Sequence, residues 1–240
     1  DQDLTYDDIL ENQDTISNIS LNDYRPTKEA YNQLQGLRSY YKFHDVDIDR
    51  YMIDVKLTQI FVSVRELDKN ALDSNAKTWV NEYLKYTHGY GITMSPVNQV
   101  TSSGQPSMIV RNVPPVSDYE ELKVTVPQVY FGELTNDYVI VNTDEQEFDF
   151  PMGEQLQTTK YQGTAGIKLN FLNKLLYSIR QSSFKMLVSG GVNSDSRIII
   201  NRNIVDRVNK IAPFLSYDDD PYAVLVNGKI YYIIDGFTTT

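Results

Sequence analysis

The sequence predicts an α+β fold, with a largely antiparallel sheet flanked by several short helices. Three observations predict it. Tyr222–Val226 and Lys229–Ile234 are apolar β-type runs joined by Asn227-Gly228, the preferred pair for a two-residue type I′ turn. The alternating stretch 45–64 reads as a second antiparallel hairpin. Between such runs lie short amphipathic segments that open on Thr, Asp, Ser or Asn caps.

Taken in order, Thr5-Tyr-Asp-Asp8 resembles a capping box with Asp in place of Glu, opening a short helix through about Asn12. Pro26 in a first turn starts a second helix. Its apolar set, Ala30, Tyr31, Leu34, Leu37 and Tyr41, has the spacing of one helical face. Gly36 within it weakens that helix by about 1 kcal/mol relative to Ala. Asp45-Val-Asp-Ile-Asp49, if extended, puts three carboxylates on one face and Val46 and Ile48 on the other. The apolar set then shifts to Tyr51, Ile53, Val55 and Leu57, so a bulge or turn is expected near Arg50. Ile60, Val62 and Val64 complete the hairpin. Asp73 or Ser74 can cap a helix whose buried stripe is Ala76, Trp79, Val80, Tyr83 and Leu84, with Gly89 at its C′ position.

Residues 95–118 read as a long loop. Its Pro114-Pro115 makes 113–118 the best internal boundary in what is otherwise read as one unit, 1–240. From Val124 to Phe150 the pattern is β. Asn170 caps a helix expected to turn Phe171, Leu172, Leu175, Leu176 and Ile179 inward. Strands are expected at Met186–Ser189 and Arg197–Asn201, then a helix from about Asn203 to Ile211, stopping before Pro213. In the last hairpin a two-residue turn pairs Leu225 with Ile230 and Ala223 with Tyr232. Both its faces are apolar, so it belongs inside a larger assembly.

Composition narrows the function classes. Hydrophobic residues make up 41% of the 240, enough for a sizeable core, and the net charge is −10. That charge argues against an electrostatic grip on nucleic acid. The absence of cysteine excludes disulfides, thiolate catalysis and Cys-based zinc sites. No apolar run approaches the ~18 residues of a membrane span. The chain opens at Asp1 without Met, as expected of an excised piece. The 18 tyrosines suit either a binding surface or a Tyr-rich sheet and core.

Several strings then occur in a fixed order: Asp45-Val-Asp-Ile-Asp-Arg-Tyr51, Tyr86-Thr-His-Gly-Tyr-Gly91, Ser95-Pro-Val-Asn98, Val129-Tyr-Phe-Gly-Glu133, Arg207 with Ala212-Pro-Phe-Leu215, and Asp220-Pro-Tyr222. Together they resemble the uncharacterised protein family (UPF) 0182, whose bacterial members look like polytopic membrane proteins. The resemblance implies the first part of a large extracytoplasmic region, located at the cell membrane. It implies as partners the protein's own transmembrane region and further C-terminal sequence, with an envelope component or a homo-oligomer as further options. Val126 and Gln128 stand where Arg and Glu are usual in that pattern, and Gln99 stands for Glu. The family brings no activity with it. The function expected is therefore non-enzymatic binding or assembly at the cell envelope.

The residues leave two rivals. One is a carboxylate-dependent hydrolase acting on an envelope polymer, with Glu133, Glu147 and Asp149 on neighbouring strands and His88 as a further acid/base candidate. Glu147 and Asp149 would share one strand face. The plainer account of His88 is a helix C-terminal cap. The other rival is a Ca²⁺-stabilised assembly module. Asp45, Asp47 and Asp49 mimic the start of an EF-hand loop, but Arg50 and Lys56 stand where Gly and Glu are needed. A non-EF Ca²⁺ site remains open there, as does one at Asp218, Asp219 and Asp220, against a solvated strand face and an Asp-rich turn before Pro221. No other cofactor is indicated.

Overall fold

The computed structural model describes residues 5–153 and 155–238. Its mixture of short helices and antiparallel strands is the predicted α+β class. The organising element is the strand Lys56–Leu67, whose last eight residues are all buried. It pairs with Tyr41–Phe43, Asp47–Ile53 and Ile92–Pro96, and the sheet continues through Val110–Arg111 and Val116–Ser117. Pro114-Pro115 therefore sits in a turn within this sheet. The smaller ladders include Val139–Val141 with Arg197–Ile199, Gly89–Tyr90 with Gln128–Val129, and Glu147–Met152 with Gln155–Thr159.

The C-terminal hairpin follows the expected register, Leu225 opposite Ile230 and Ala223 opposite Tyr232. Asn227 and Gly228 both take positive φ, 50° and 76°, as a type I′ turn requires. One hairpin face packs on the main sheet: Ala223, Leu225, Ile230 and Tyr232 join Ile60, Val62, Val64, Ile92 and Met94 in the largest core cluster. A second cluster forms where Leu84, Tyr138, Ile140, Leu169, Met186 and Ile198 meet. The Thr5 capping box is present, and Asn170 and Asn203 cap Phe171–Arg180 and Ile204–Ile211.

The helix Tyr24–Gln35 ends before Leu37, which takes positive φ, and Tyr41, which is in a strand. The stretch 95–118 contributes two strands to the main sheet. Four further expectations fail, each for a physical reason. No bulge interrupts Asp47–Ile53, which pairs residue by residue with Lys56–Val62. The turn is Asp54-Val55, both at positive φ, and Val55 is the exposed tip. The inward face of this strand is the acidic one, because the Asp47 carboxylate accepts the Ala223 N–H at 2.7 Å and the Tyr51 hydroxyl accepts the Leu225 N–H at 2.9 Å. Met186–Ser189 is not a strand: Phe184–Val188 is helical, started by the Ser183 side chain accepting the Met186 N–H. The helix before His88 shrinks to a wide turn at Asn81–Lys85, and Gly89 lies in a strand. A Cβ on Gly89 would stand 2.7 Å from Glu66 Cα and closer still to the Arg65 carbonyl oxygen, so close backbone approach, not capping, is what requires glycine there.

The fourth failure is the largest. The helix Phe171–Arg180 turns its apolar face outward: Phe171 is 82% exposed, Leu172 61% and Ile179 69%. Its inward side carries Ser178 and Lys174, whose ammonium donates to the Ser189 and Val192 carbonyls. Phe184 and Val188 of the next helix extend the exposed apolar surface.

Candidate functional site

His88 is not a helix cap. Its side chain is wholly buried between the strand Glu147–Met152 and the aromatic ring of Tyr130. Glu147 and Asp149 do share one face of that strand, and both reach the imidazole. His88 Nε2 lies 3.3 Å from Asp149 Oδ1, and Nδ1 lies 2.9 Å from Thr87 Oγ1 and 3.7 Å from Glu147 Oε2. The Thr87 hydroxyl donates to Glu147 Oε2 at 2.6 Å, and the Tyr130 hydroxyl donates to the same oxygen at 2.8 Å. Glu147 Oε1 accepts the Tyr161 N–H at 2.9 Å, and the Gln128 amide donates to Asp149 Oδ1, also at 2.9 Å.

These partners fix the protonation of the ring. A hydroxyl has one proton, and Thr87 spends it on Glu147, so its oxygen accepts from His88 Nδ1–H. Nε2 faces Asp149 Oδ1, so both ring nitrogens have an acceptor and the surroundings favour the imidazolium. Burial alone would push the His88 pKa down; the hydrogen bonds and charges of Asp149 and Glu147 outweigh it and hold it above the ordinary 6.5.

Arg202 supplies the second cation. It is fully buried and donates to the backbone carbonyls of Tyr130 at 2.7 Å and Thr87 at 2.6 Å, the two residues that hold Glu147. His88 is thus the one cation that meets both buried carboxylates, and Arg202 braces the backbone of the residues that hold Glu147. The arrangement can hold a proton. With no exposed ring atom, His88 has no path to an outside substrate.

Glu133 lies elsewhere, in a second acidic group. Buried Glu66 accepts the Glu133 and Leu134 N–H groups at 2.8 and 3.0 Å and the Tyr232 hydroxyl at 3.3 Å. Gly132 makes the room: a Cβ there would overlap the Glu66 carboxylate. Burial, then the charges of Glu66 and Asp47, raises the Glu133 pKa to about 8; burial, with Asp45 and Asp220 nearby, raises Asp47 to about 7. Asp45, Asp47 and Asp220 line one surface hollow, so two acidic motifs far apart in sequence meet there. Asp49 accepts the N–H of the next residue, Arg50, and Asp218 accepts the N–H of Asp220. Asp219 is exposed on the same turn. Among the described residues no three His, Asp or Glu side chains are placed to share one metal ion. A proton on Asp47 relieves the repulsion that a cation would otherwise answer.

Sequence reasoning missed Thr87, Gln128, Tyr130, Arg202 and Glu66. Arg202 had one available signal, a cation two residues after the apolar strand run Ile198–Ile200. Thr87 had only its place in the Tyr86–Gly91 string, since its role depends on a carboxylate 60 residues away.

Four of the six strings that carried the resemblance contribute to these two groups, through His88 and Tyr130 in one and Asp45, Asp47, Glu133 and Asp220 in the other; Ser95–Asn98 and Arg207 with Ala212–Leu215 lie in neither. A model of the uncharacterised protein family UPF0182 matches residues 1–240. The chain belongs to the UPF0182 family. A UPF0182 protein of Alkaliphilus metalliredigens is 56% identical over 99% of this chain. UPF0182 proteins of Clostridium botulinum (strain Okra) and Clostridium acetobutylicum are 52% and 49% identical, again over 99% of it. The chain spans about a quarter of the length of these UPF0182 relatives, 25–26%. No solved structure matches it. Among the described residues no helix is long and apolar enough to cross a membrane.

Proposed function

We propose that this chain is a non-enzymatic binding and assembly module on the extracytoplasmic side of a multi-span membrane protein. The observation that carries the reading is the inverted helix Phe171–Arg180. Phe171, Leu172, Leu176 and Ile179 face solvent together with Phe184 and Val188 of the neighbouring helix. A contiguous apolar surface of this kind is a contact surface awaiting its partner. Burying each such side chain stabilises a complex by about 1.5–3 kcal/mol, which is lost while it stays wet. The occupant is the remainder of the same longer protein, since the relatives continue for about three-quarters of their length beyond the matching part. The surrounding charge supports a distinct contact: residues 155–194 hold five Lys or Arg and no Asp or Glu, in a chain of net charge −10.

The buried His88 network weighs against the hydrolase. Glu133 is held in a different group from Glu147 and Asp149, and those two are already paired to His88.

The chain has no cysteine of its own, which makes the test direct. Ile179→Cys in the 240-residue chain should react readily with a maleimide. In a full-length family member carrying this sequence it should be strongly protected. Equal rates in both would end the docking proposal. Val55→Cys, at an exposed turn remote from the patch, tests the side of the membrane. A membrane-impermeant maleimide should label it in intact cells; labelling only after permeabilisation would overturn the extracytoplasmic placement.

A further inference from the structure

Two buried polar atoms in the described chain have no hydrogen-bond partner, Lys69 Nζ and Thr135 Oγ1. Both residues line one cavity of about 240 Å³. This coincidence needs an explanation, because an orphaned buried ammonium or hydroxyl is costly. The Lys69 side chain is nine-tenths buried, and its stem leads the ammonium to 4.9 Å from the Tyr83 ring centre. The nearest carboxylate oxygen, on half-exposed Asp137, is 4.0 Å away, too far for a hydrogen bond. Arg202 lines the same cavity. Its three bonds all go to carbonyl oxygens, the third a long 3.4 Å to Asp137, so two of its five N–H groups are unspent and its charge meets no carboxylate directly.

We infer that this cavity is a binding site for a small phosphate-type oxyanion, held by the Lys69 ammonium, the unspent edge of Arg202 and the Thr135 hydroxyl. A tetrahedral oxyanion offers acceptors to all three groups at once, and it supplies the hydrogen-bonded negative charge that neither cation takes from a carboxylate. The volume is several times the ~30 Å³ share of one water molecule. It suits an inorganic ion or a compact phosphate ester rather than a polymer. Lys42 stands at the rim as a third cation, while Asp68 and Asp137 are the acidic groups of the lining. The Asp68 carboxylate is engaged, accepting the Asn70 N–H at 3.0 Å.

Burial, then the charge of Arg202, pushes the Lys69 pKa down to about 7. The other charges facing it are Asp68, Asp137 and Glu82 and the cations Arg202 and Lys42. Anion binding favours the charged ammonium, so affinity for sulfate, a dianion throughout, should fall by up to about tenfold per pH unit above 7.

The experiment is calorimetric titration and thermal unfolding of the 240-residue chain with sulfate, inorganic phosphate and glycerol phosphate, against chloride at equal ionic strength. Saturable binding and a higher Tm are expected for the oxyanions over chloride. Preference for glycerol phosphate assigns an esterified ligand, and equal affinity assigns the free ion. Lys69→Met keeps the apolar stem and should abolish the effect while leaving the fold intact; Thr135→Ser should retain it. If the oxyanions do no more than chloride, or if Lys69→Met responds as the wild type does, the cavity holds only water and the inference falls.

Discussion

Asp47 offers a measurable test of the inward acidic face. In the folded chain its carboxyl titrates near 7 rather than 3.8, because burial and the Asp45 and Asp220 charges oppose ionisation. In the unfolded chain it titrates near its ordinary value. The folded state therefore holds a proton that the unfolded state has released, and stability falls as pH rises from about 4 through 7. The rise to about 7 corresponds to about 4 kcal/mol. Asp47 is only partly buried, and solvent screening reduces this to about 2 kcal/mol. Asp47→Asn keeps an oxygen to accept the Ala223 N–H and removes the charge. At pH 8 the variant should unfold about 4–8 °C above the wild type, taking 2–4 °C per kcal/mol for a chain of this size. The gap should close towards pH 4. Thermal unfolding followed by circular dichroism between pH 4 and 9 reads this directly. Two curves separated by a constant offset would show that Asp47 carries no such burden, and the description of the acidic group would be wrong.

His88→Leu leaves Glu147 and Asp149 buried without their cation and should cost about 3–5 kcal/mol in urea unfolding at pH 6. The His88 pKa is raised by folding, so its contribution is whole below 6.5 and fades as pH rises through the folded value. The variant's deficit should accordingly shrink on the alkaline side; a pH-independent deficit would refute an imidazolium in the folded chain. Gly89→Ala should destabilise by about 1–3 kcal/mol through contact with the Arg65 and Glu66 backbone. Gly190→Ala, which meets nothing within 4 Å, should stay within about 0.5 kcal/mol of the wild type. Equal effects at the two positions would contradict the close approach.

The terminal hairpin was legible because Asn227-Gly228 dictates its own geometry, and register follows from a two-residue turn. The Thr5, Asn170 and Asn203 caps were legible for the same reason: each acts within three residues. What failed depended on what lies across the fold. Periodicity shows that Phe171–Arg180 has two unlike faces, but the usual inference that the apolar one turns inward assumes the partner is in the same chain segment. Alternation showed that Asp45, Asp47 and Asp49 share a face. Only the Ala223 N–H, 176 residues on, decides that the face is inward. Glu147 and Asp149 could be paired from strand geometry, whereas their meeting with His88 spans about 60 residues of chain.

Arg202 sets an order of events during synthesis. Its guanidinium ties the carbonyls of Tyr130 and Thr87, 72 and 115 residues upstream. At roughly 5–20 residues per second, a nascent chain that has just released residue 88 waits on the order of 6–20 s before residue 202 is made. Throughout that interval the carbonyls of Thr87 and, once made, Tyr130 lack the donor that ties them together. The central strand and its hairpin can pair early, but the His88 network closes only once residue 202 is made, and the acidic group around Asp47 and Glu66 only once residues 223–232 follow. Closure over so long a stretch of chain slows folding and leaves these buried polar groups open to water in the meantime.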